Sequence, residues 1–221
     1  MKQLVIFDLD GTLLNTIDDL GNAANYALEK CGYPLHALSS YPFFVGNGIT
    51  RLLERVLPED ERSASNVDIL RRYFKEYYDE HNTDCTKPYP GIPELLQRLN
   101  DNDVKIAVAS NKYQSAVEKL MHHYFPNVKW GAIEGEKSDY PRKPDPSIVF
   151  DILSKIPTPK AATLYVGDSG VDMETARRAC IESVGVTWGF RSAKELRDYH
   201  ADHIVSTVDE LTEIIEHPLV L

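Results

Sequence analysis

The segment "VIFDLDGTLL", residues 5–14, joins an apolar run to two aspartates and a Gly-Thr pair. It continues the apolar stretch Gln3–Asp8, which is typical of a strand in a parallel sheet covered on both faces. Asp8 and Asp10 are two residues apart, so extended backbone would place both carboxylates on one face. Two like charges about 4 Å apart repel by about 4 kcal/mol at an effective dielectric of 20. A shared proton or a bound cation would relieve this repulsion. Taken alone, the motif is explained equally well as an acidic turn or helix cap.

Composition restricts the partners of the chain. The 221 residues carry a net charge of −10, which argues against binding to a nucleic-acid duplex. No apolar run approaches the ~20 residues of a membrane span, and the N-terminus lacks the basic region of a signal peptide. The three cysteines show no C-x-x-C spacing, which favours a reducing compartment over disulfides or a zinc site. We expect a cytoplasmic monomer or homodimer with no membrane partner.

Strand and helix patterns alternate from residue 88 onward. Apolar runs predict strands at 104–110, 130–134, 163–168, 183–188 and, more weakly, 203–206. Helical patterns lie between them at 91–101, 113–123, 146–155 and 170–180. This alternation predicts an α/β fold, a Rossmann-like parallel sheet with helices on both faces.

The segment 17–82 has helical patterns and no convincing strand. Thr16 and Asp19 have the spacing of a capping box at the start of its first helix, and the pattern predicts helices at 17–30, 48–57 and 66–81. The insert leaves from the carboxyl end of the first strand, where open α/β sheets bind ligands. We therefore predict an inserted helical cap at 16–83 and a core formed by 1–15 and 84–221.

Polar residues also follow two later strands. Asp168 ends one strand, and Asp172 lies in the first turn of the next helix, where an acid is favourable by about 0.3–1 kcal/mol in any case. Ser110 and Asn111 end another strand, although Ser110 could simply cap the following helix. The carboxyl ends of parallel strands meet in one crevice. Carboxylates gathered there suit Mg²⁺, and the hydroxyl and amide suit a phosphoryl oxygen.

Two lysines accompany these residues. Lys112 follows Ser-Asn directly and is expected to be a solvated loop residue. Lys143 lies in "YPRKPDPSIVF", where Pro144 favours an extended backbone ahead of a helix start. Lys143 could therefore supply a fixed cation to the crevice.

Taken together and in this order, these motifs resemble the signatures of the haloacid dehalogenase-like hydrolase superfamily. They are "DLDGT" (Asp8, Asp10), "ASN" (Ser110), "RKPDP" (Lys143) and "GDSGVD" (Asp168, Asp172). The helical insert looks like the small cap of that superfamily. The stretches "VGNG" (45–48), "PYPG" (88–91) and "GVTWGF" (185–190) are similar to its phosphoglycolate phosphatase branch.

The resemblance implies a Mg²⁺-dependent phosphatase that hydrolyses a small phosphomonoester through an aspartyl-phosphate. Asp8 would attack phosphorus, and Asp10 would protonate the leaving alkoxide and then deprotonate the attacking water. The implied metal ligands are Asp8, the backbone carbonyl of Asp10 and Asp168, with Asp172 in support. The implied phosphate-binding residues are Ser110, Asn111 and Lys143.

Related activities remain open at this stage. Asp10 favours phosphoryl over haloalkanoate chemistry, because a dehalogenase has no evident need for a second acid. A phosphosugar mutase, a pyrophosphatase, a nucleotidase and an inactive phospholigand-binding module are the alternatives. Substrate choice would depend on cap residues Gly46, Asn47, Gly48 and Arg51. Arg51 could pair bidentately with a substrate carboxylate, or it could be a surface arginine.

Overall fold

The core of the molecule is a six-stranded parallel sheet. A computed structural model describes residues 1–137 and 141–217. Its strands are Leu4–Phe7 (β1), Leu14–Asn15 (β2), Lys87–Pro88 (β3), Lys105–Tyr113 (β4), Trp130–Glu136 (β5), Thr163–Gly167 (β6), Glu182–Val186 (β7) and His203–Val205 (β8). The sheet has the order β5-β4-β1-β6-β7-β8, and β2 pairs with β3 in a separate antiparallel ribbon. Strand β1 therefore lies between β4 and β6, the strands that carry the other site motifs.

Helices cover the sheet and form the insert. They are Ile17–Lys30 (α1), Gly48–Val56 (α2), Ala64–His81 (α3), Ile92–Asp101 (α4), Gln114–Tyr124 (α5), Ser147–Lys155 (α6), Gly170–Ala179 (α7), Ala193–Asp198 (α8) and Val208–Glu216 (α9). Short 3₁₀ helices span Leu38–Phe43, Glu59–Glu61 and Lys160–Ala162. Within the described residues, no helix has both the length and the apolar character that a membrane span requires.

The apolar residues of β1 explain its central place. All four are fully buried, and they alternate between two apolar clusters on opposite faces of the sheet. Val5 and Phe7 pack in one cluster, whereas Leu4 and Ile6 pack in the other. A strand that must bury both faces needs this continuous apolar run. The predicted Rossmann-like α/β fold is confirmed.

The helical insert has an apolar cluster of its own. Its buried residues come from α1, the 3₁₀ helix at 38–43, α2 and α3, with Ala116 of α5 as the core's contribution. Leu28, Leu53 and Phe74 are among its fully buried side chains. The cap is thus a packed helical layer, although the exact domain boundaries at 16–83 and 84–221 remain a prediction. Residues 218–221 of the second range lie outside the described residues.

Two local predictions were wrong. Helix α1 begins after Thr16, but the Thr16 hydroxyl donates to Asp10 Oδ1 at 2.6 Å instead of capping the helix. Asp19 accepts hydrogen bonds from the backbone of Cys85 and Thr86. Both side chains of the apparent capping box have therefore found tertiary partners, and Asp19 ties the start of the insert to its end.

Strand β4 is longer than the predicted 104–110. It continues to Tyr113, which pairs with Glu136 of β5 after an irregularity in the register. Ser110 thus lies within the strand, and helix α5 begins only at Gln114, so Ser110 is not a helix cap. The extension carries Lys112 into the buried crevice.

Candidate active site

The carboxyl ends of β1, β4 and β6 meet at a cavity beneath the cap. Its volume is about 50 Å³. The core contributes Asp8, Asp10, Ser110, Asn111, Lys112, Tyr113, Lys143, Asp168, Ser169, Phe190 and Arg191. The cap contributes Leu20, Val45, Gly46, Gly48, Ile49, Leu52, Phe74 and Tyr78. The polar groups therefore come almost entirely from the core.

Asp8 and Lys143 form a buried ion pair at the end of β1. Lys143 Nζ lies 2.9 Å from Asp8 Oδ1 and donates to Asp172 Oδ1 at 2.7 Å. Burial, reinforced by the charge of Asp172, raises the pKa of Asp8 to about 7, while Lys143 opposes this rise. Burial alone would lower the pKa of Lys143, but Asp172 and Asp8 raise it well above its usual value. Lys143 is thus a permanent cation beside Asp8.

Asp168 is held from two sides. Its Oδ2 accepts the Phe190 N–H at 2.7 Å. Gly11 and Gly189 pack so closely on it that a Cβ on either would lie 2.3 Å from an Asp168 side-chain atom. Burial and the nearby charges of Asp172 and Asp8 raise the pKa of Asp168 well above its usual value. Holding the ionised carboxylate of Asp168 beside these other carboxylates therefore lowers the stability of the fold.

The carboxylates fit a divalent cation. Asp8, Asp168 and Asp172 can each offer an oxygen atom within 4.8 Å of the other two. Asp172 already accepts from Lys143, from the Ser169 N–H and from the Ser169 hydroxyl, so it suits a supporting role. Burial, with the neighbouring carboxylates, raises the pKa values of Asp8 and Asp168, and a cation bound among them would favour their ionised forms. Hard carboxylate oxygens in such a group are the donors that Mg²⁺ prefers.

Asp10 lies beside Asp8 and is held by two donors. The Thr16 hydroxyl donates to its Oδ1, and Lys112 Nζ lies 2.8 Å from Oδ1 and 3.0 Å from Oδ2. The Lys112 side chain is only 4% exposed. The prediction of a solvated Lys112 was therefore wrong, because β4 continues through this residue and aims it at Asp10.

Ser110 and Asn111 occupy the site differently. Ser110 lines the cavity, and its hydroxyl oxygen accepts the Lys112 N–H at 3.2 Å. The Asn111 side chain accepts the Lys143 N–H and donates to the Lys143 and Gly46 carbonyls. Its amide thus bonds the backbone in this conformation and positions the Lys143 loop, and its contact with phosphate stays a prediction.

The four predicted cap residues divide into two pairs. Gly46 and Gly48 line the cavity, whereas Asn47 and Arg51 do not. Asn47 accepts from Arg55 at 2.7 Å. The Arg51 side chain is 63% exposed and pairs with Glu54 at 2.6 Å. The expected contact between Arg51 and a substrate carboxylate has no support in this conformation.

Arg191 is a site residue that the sequence reasoning missed. It lines the cavity and donates to the carbonyl oxygens of Pro42 and Val45 in the cap. The available signal in the sequence was its position directly after the "GVTWGF" stretch. In the structure, the backbone N–H of Phe190 at the end of that stretch donates to Asp168. Arg191 thus joins the core to the cap at the edge of the cavity.

Comparison with known proteins agrees with this geometry. A family model described as haloacid dehalogenase-like hydrolase matches residues 5–186. The chain belongs to the haloacid dehalogenase-like hydrolase family. A phosphoglycolate phosphatase of Cereibacter sphaeroides is 32% identical to it, with 97% of this chain and 98% of that protein covered. A phosphoglycolate phosphatase of Aquifex aeolicus is 29% identical, with 99% of each chain covered.

Solved structures show the same likeness. The crystal structure of an inferred phosphoglycolate phosphatase from Lactobacillus delbrueckii subsp. bulgaricus is 34% identical and superposes with a TM-score of 0.91. The alignment covers 97% of this chain and 99% of that one. Together with the family match, these relatives make the chain a phosphatase of the haloacid dehalogenase-like hydrolase superfamily.

Proposed function

We propose that this haloacid dehalogenase-like hydrolase is a Mg²⁺-dependent phosphatase that cleaves a small phosphomonoester, 2-phosphoglycolate in particular, through an aspartyl-phosphate on Asp8. One observation carries the proposal. A buried carboxylate at the end of β1 faces a small cavity, with a lysine on one of its oxygens and a second carboxylate two residues away. That is the arrangement that nucleophilic attack on phosphorus requires.

Asp8 supplies the nucleophile. Lys143 holds Oδ1, and no hydrogen bond to Oδ2 is found within the described part of the chain, so Oδ2 is available to attack phosphorus. The new bond joins Asp8 to the phosphoryl group as the bond to the alcohol oxygen breaks. Ser110 and Lys143 line the cavity, so the Ser110 hydroxyl can donate to a phosphoryl oxygen and the positive charge of Lys143 stabilises the charge that develops during transfer.

Asp10 supplies the proton transfers. It lines the same cavity as Asp8, where Thr16 and Lys112 fix its carboxylate. It donates a proton to the departing alkoxide, and it then accepts one from the water that hydrolyses the aspartyl-phosphate. One residue can serve both steps because the first leaves it as the base that the second needs.

Mg²⁺ would be held by Asp8, the backbone carbonyl of Asp10 and Asp168, with Asp172 orienting Lys143 behind them. When bound, the ion supplies the positive charge that lets an anionic carboxylate approach an anionic ester. The lining alone does not supply it, since three carboxylates face three cations there and a phosphate brings further negative charge.

The substrate assignment comes from the relatives. Curated relatives across nearly the whole chain are phosphoglycolate phosphatases. The expected cytoplasmic location and the monomeric or dimeric state remain predictions.

Phosphate release with and without Mg²⁺ tests this function. The panel contains 2-phosphoglycolate, ethyl phosphate, a hexose 1-phosphate, a nucleoside monophosphate and pyrophosphate. We expect Mg²⁺-dependent release, fastest from 2-phosphoglycolate. Preference for another compound would overturn the substrate assignment, conversion of the hexose 1-phosphate to its isomer would favour a mutase, and no release from any compound would contradict the enzyme itself.

A further inference from the structure

Lys112 is a buried cation of the cavity that the proposed mechanism does not use for phosphate. Its Nζ bonds both oxygens of Asp10. An ammonium group has three N–H donors, and the two contacts with Asp10 account for two of them. The third has no hydrogen-bond acceptor within the described part of the chain, and Nζ lies 5.0 Å from the centre of the Tyr78 ring. A buried ammonium with a spare donor is suited to a further anion.

A second cation of the cavity, Lys143, has no donor to spare, because its Nζ contacts Asp8, Asp172 and the Ala109 carbonyl and an ammonium has three N–H groups. A third, Arg191, donates to two cap carbonyls, and its Nε lies 3.7 Å from Glu195, so that at least two of its five N–H groups have no acceptor among the described residues. Arg191 is directed at the cap, whereas Lys112 is bound to Asp10, and Lys112 is therefore the cation placed beside the proposed proton donor to the leaving oxygen.

The position of Lys112 suits contact with the leaving group of a substrate. It follows Ser110 by two residues on β4, and both line the cavity. Its partner Asp10 is the residue proposed to protonate the leaving oxygen. A carboxylate one carbon removed from that oxygen would lie within reach of Nζ.

The cap side of the cavity has no cation among the described residues to pair with such a carboxylate. The cap side of the cavity is lined by Val45, Ile49, Leu52 and Phe74, with the Tyr78 hydroxyl as its only polar side-chain group among the described residues. That hydroxyl is buried and has no hydrogen-bond partner there. Burying an unpaired carboxylate against apolar side chains is costly, so a cation from the core has to receive it.

We propose that Lys112 determines specificity by binding a carboxylate on the leaving group, the role that the sequence had suggested for Arg51. The inference rests on the proposed phosphatase function and deepens it. The favoured substrates are phosphomonoesters with a carboxylate next to the ester carbon. Lys112 contributes to this preference by pairing its positive charge with the negative charge of that carboxylate.

The test compares 2-phosphoglycolate with its uncharged carboxamide analogue. The measured quantity is the ratio of kcat/KM for the two compounds with Mg²⁺ present. Wild type should prefer the carboxylate, and Lys112→Met should reduce the ratio by about 30-fold or more. Lys112→Arg should restore much of it. Lys105→Met, on the exposed amino end of the same strand, should leave the ratio unchanged.

Each other outcome is decisive. An equal loss on both compounds would mean that Lys112 only positions Asp10 and would overturn its role in specificity. A loss of the ratio in Arg191→Met, with the ratio kept in Lys112→Met, would assign the carboxylate to Arg191. Wild-type protein that hydrolyses neither compound would defeat the proposed function instead. Circular dichroism of each variant separates these results from misfolding.

Discussion

At the scale of the single residue, buried charges in the site lower the stability of the folded protein. Asp168 is buried beside Asp8 and Asp172, and this environment raises its pKa well above the usual value. A carboxyl group whose pKa is higher in the folded than in the unfolded state opposes folding when it is ionised, so its cost is felt as the pH rises above the unfolded value. The metal-free fold would therefore gain stability if the charge of Asp168 were removed.

Asp168→Asn should stabilise the metal-free protein. The amide keeps an acceptor for the Phe190 N–H and removes one buried charge, so we expect a gain of about 1–2 kcal/mol. The measurement is thermal unfolding in excess EDTA at neutral pH. Asp60→Asn, at an exposed position, is the control and should change little. A lower Tm for Asp168→Asn would show that this carboxylate is not under repulsion.

The same variant should lose its response to the metal. Millimolar Mg²⁺ should raise the Tm of wild type, because the ion compensates the clustered carboxylates. Asp168→Asn should show a much smaller rise and no phosphatase activity. An unchanged Mg²⁺-induced rise would remove Asp168 from the proposed ligands.

Site residues could be predicted from the sequence where they directly follow the apolar run of a strand. Asp8 and Asp168 each end an apolar run, and parallel strands bring such ends together. Lys112 could not be predicted this way, because its partner Asp10 lies 102 positions earlier in the chain. No local pattern reports such a contact, and a lysine after Ser-Asn is indistinguishable from a solvated one.

At the scale of the element, short loops after the strands fix the site. The loop after β7 passes over Asp168, and Gly189 in it approaches the Gly11 carbonyl oxygen so closely that a Cβ would lie 2.4 Å away. Backbone cannot yield as a flexible side chain can. The glycine is therefore required by contact between two loops and not by a turn.

Gly189→Ala should damage the site with little change in secondary structure. The added methyl group must displace Asp168 or the Gly11 loop, so we expect at least a 10-fold loss of kcat/KM and weaker Mg²⁺ dependence. Gly32→Ala is the matched control, since no atom lies within 4 Å of its Cβ position and only its φ of +74° opposes the change. Near-normal activity in Gly189→Ala would contradict the tight packing described for Asp168.

Element boundaries were predicted less well than element types. The pattern at Thr16 and Asp19 satisfies the spacing of a capping box, yet the two side chains bind Asp10 and the 85–86 backbone. Strand β4 extends beyond its apolar run because β5 continues to pair with it. In both cases tertiary partners outcompeted the local preference, and in both the result serves the site.

At the scale of the whole molecule, several polar contacts join the cap to the core. Arg191 binds the Pro42 and Val45 carbonyls, Asn111 reaches the Gly46 carbonyl, and Arg142 donates to the Thr50 hydroxyl. The insert could be predicted as a cap from its helical pattern and its point of departure. The contacts that hold it closed could not, because they depend on how the two layers meet.

Arg191→Gln should favour an open cap. Loss of the two carbonyl contacts should raise KM by about 10-fold with a smaller change in kcat. Amide hydrogen exchange should rise at residues 43–46. Arg72→Gln, on the exposed face of α3, serves as control. Unchanged exchange in the 43–46 segment would show that Arg191 does not hold the cap.

The nucleophilic role of Asp8 is the central claim, and trapping the covalent intermediate tests it most directly. Wild-type enzyme is mixed with 2-phosphoglycolate and Mg²⁺, quenched in acid within the first turnovers, digested and examined by mass spectrometry. We predict one added phosphoryl group on the peptide that contains Asp8, and neither adduct nor turnover in Asp8→Asn. Rapid turnover by an Asp8→Asn variant, or a phosphoryl group trapped on a different residue, would contradict the account.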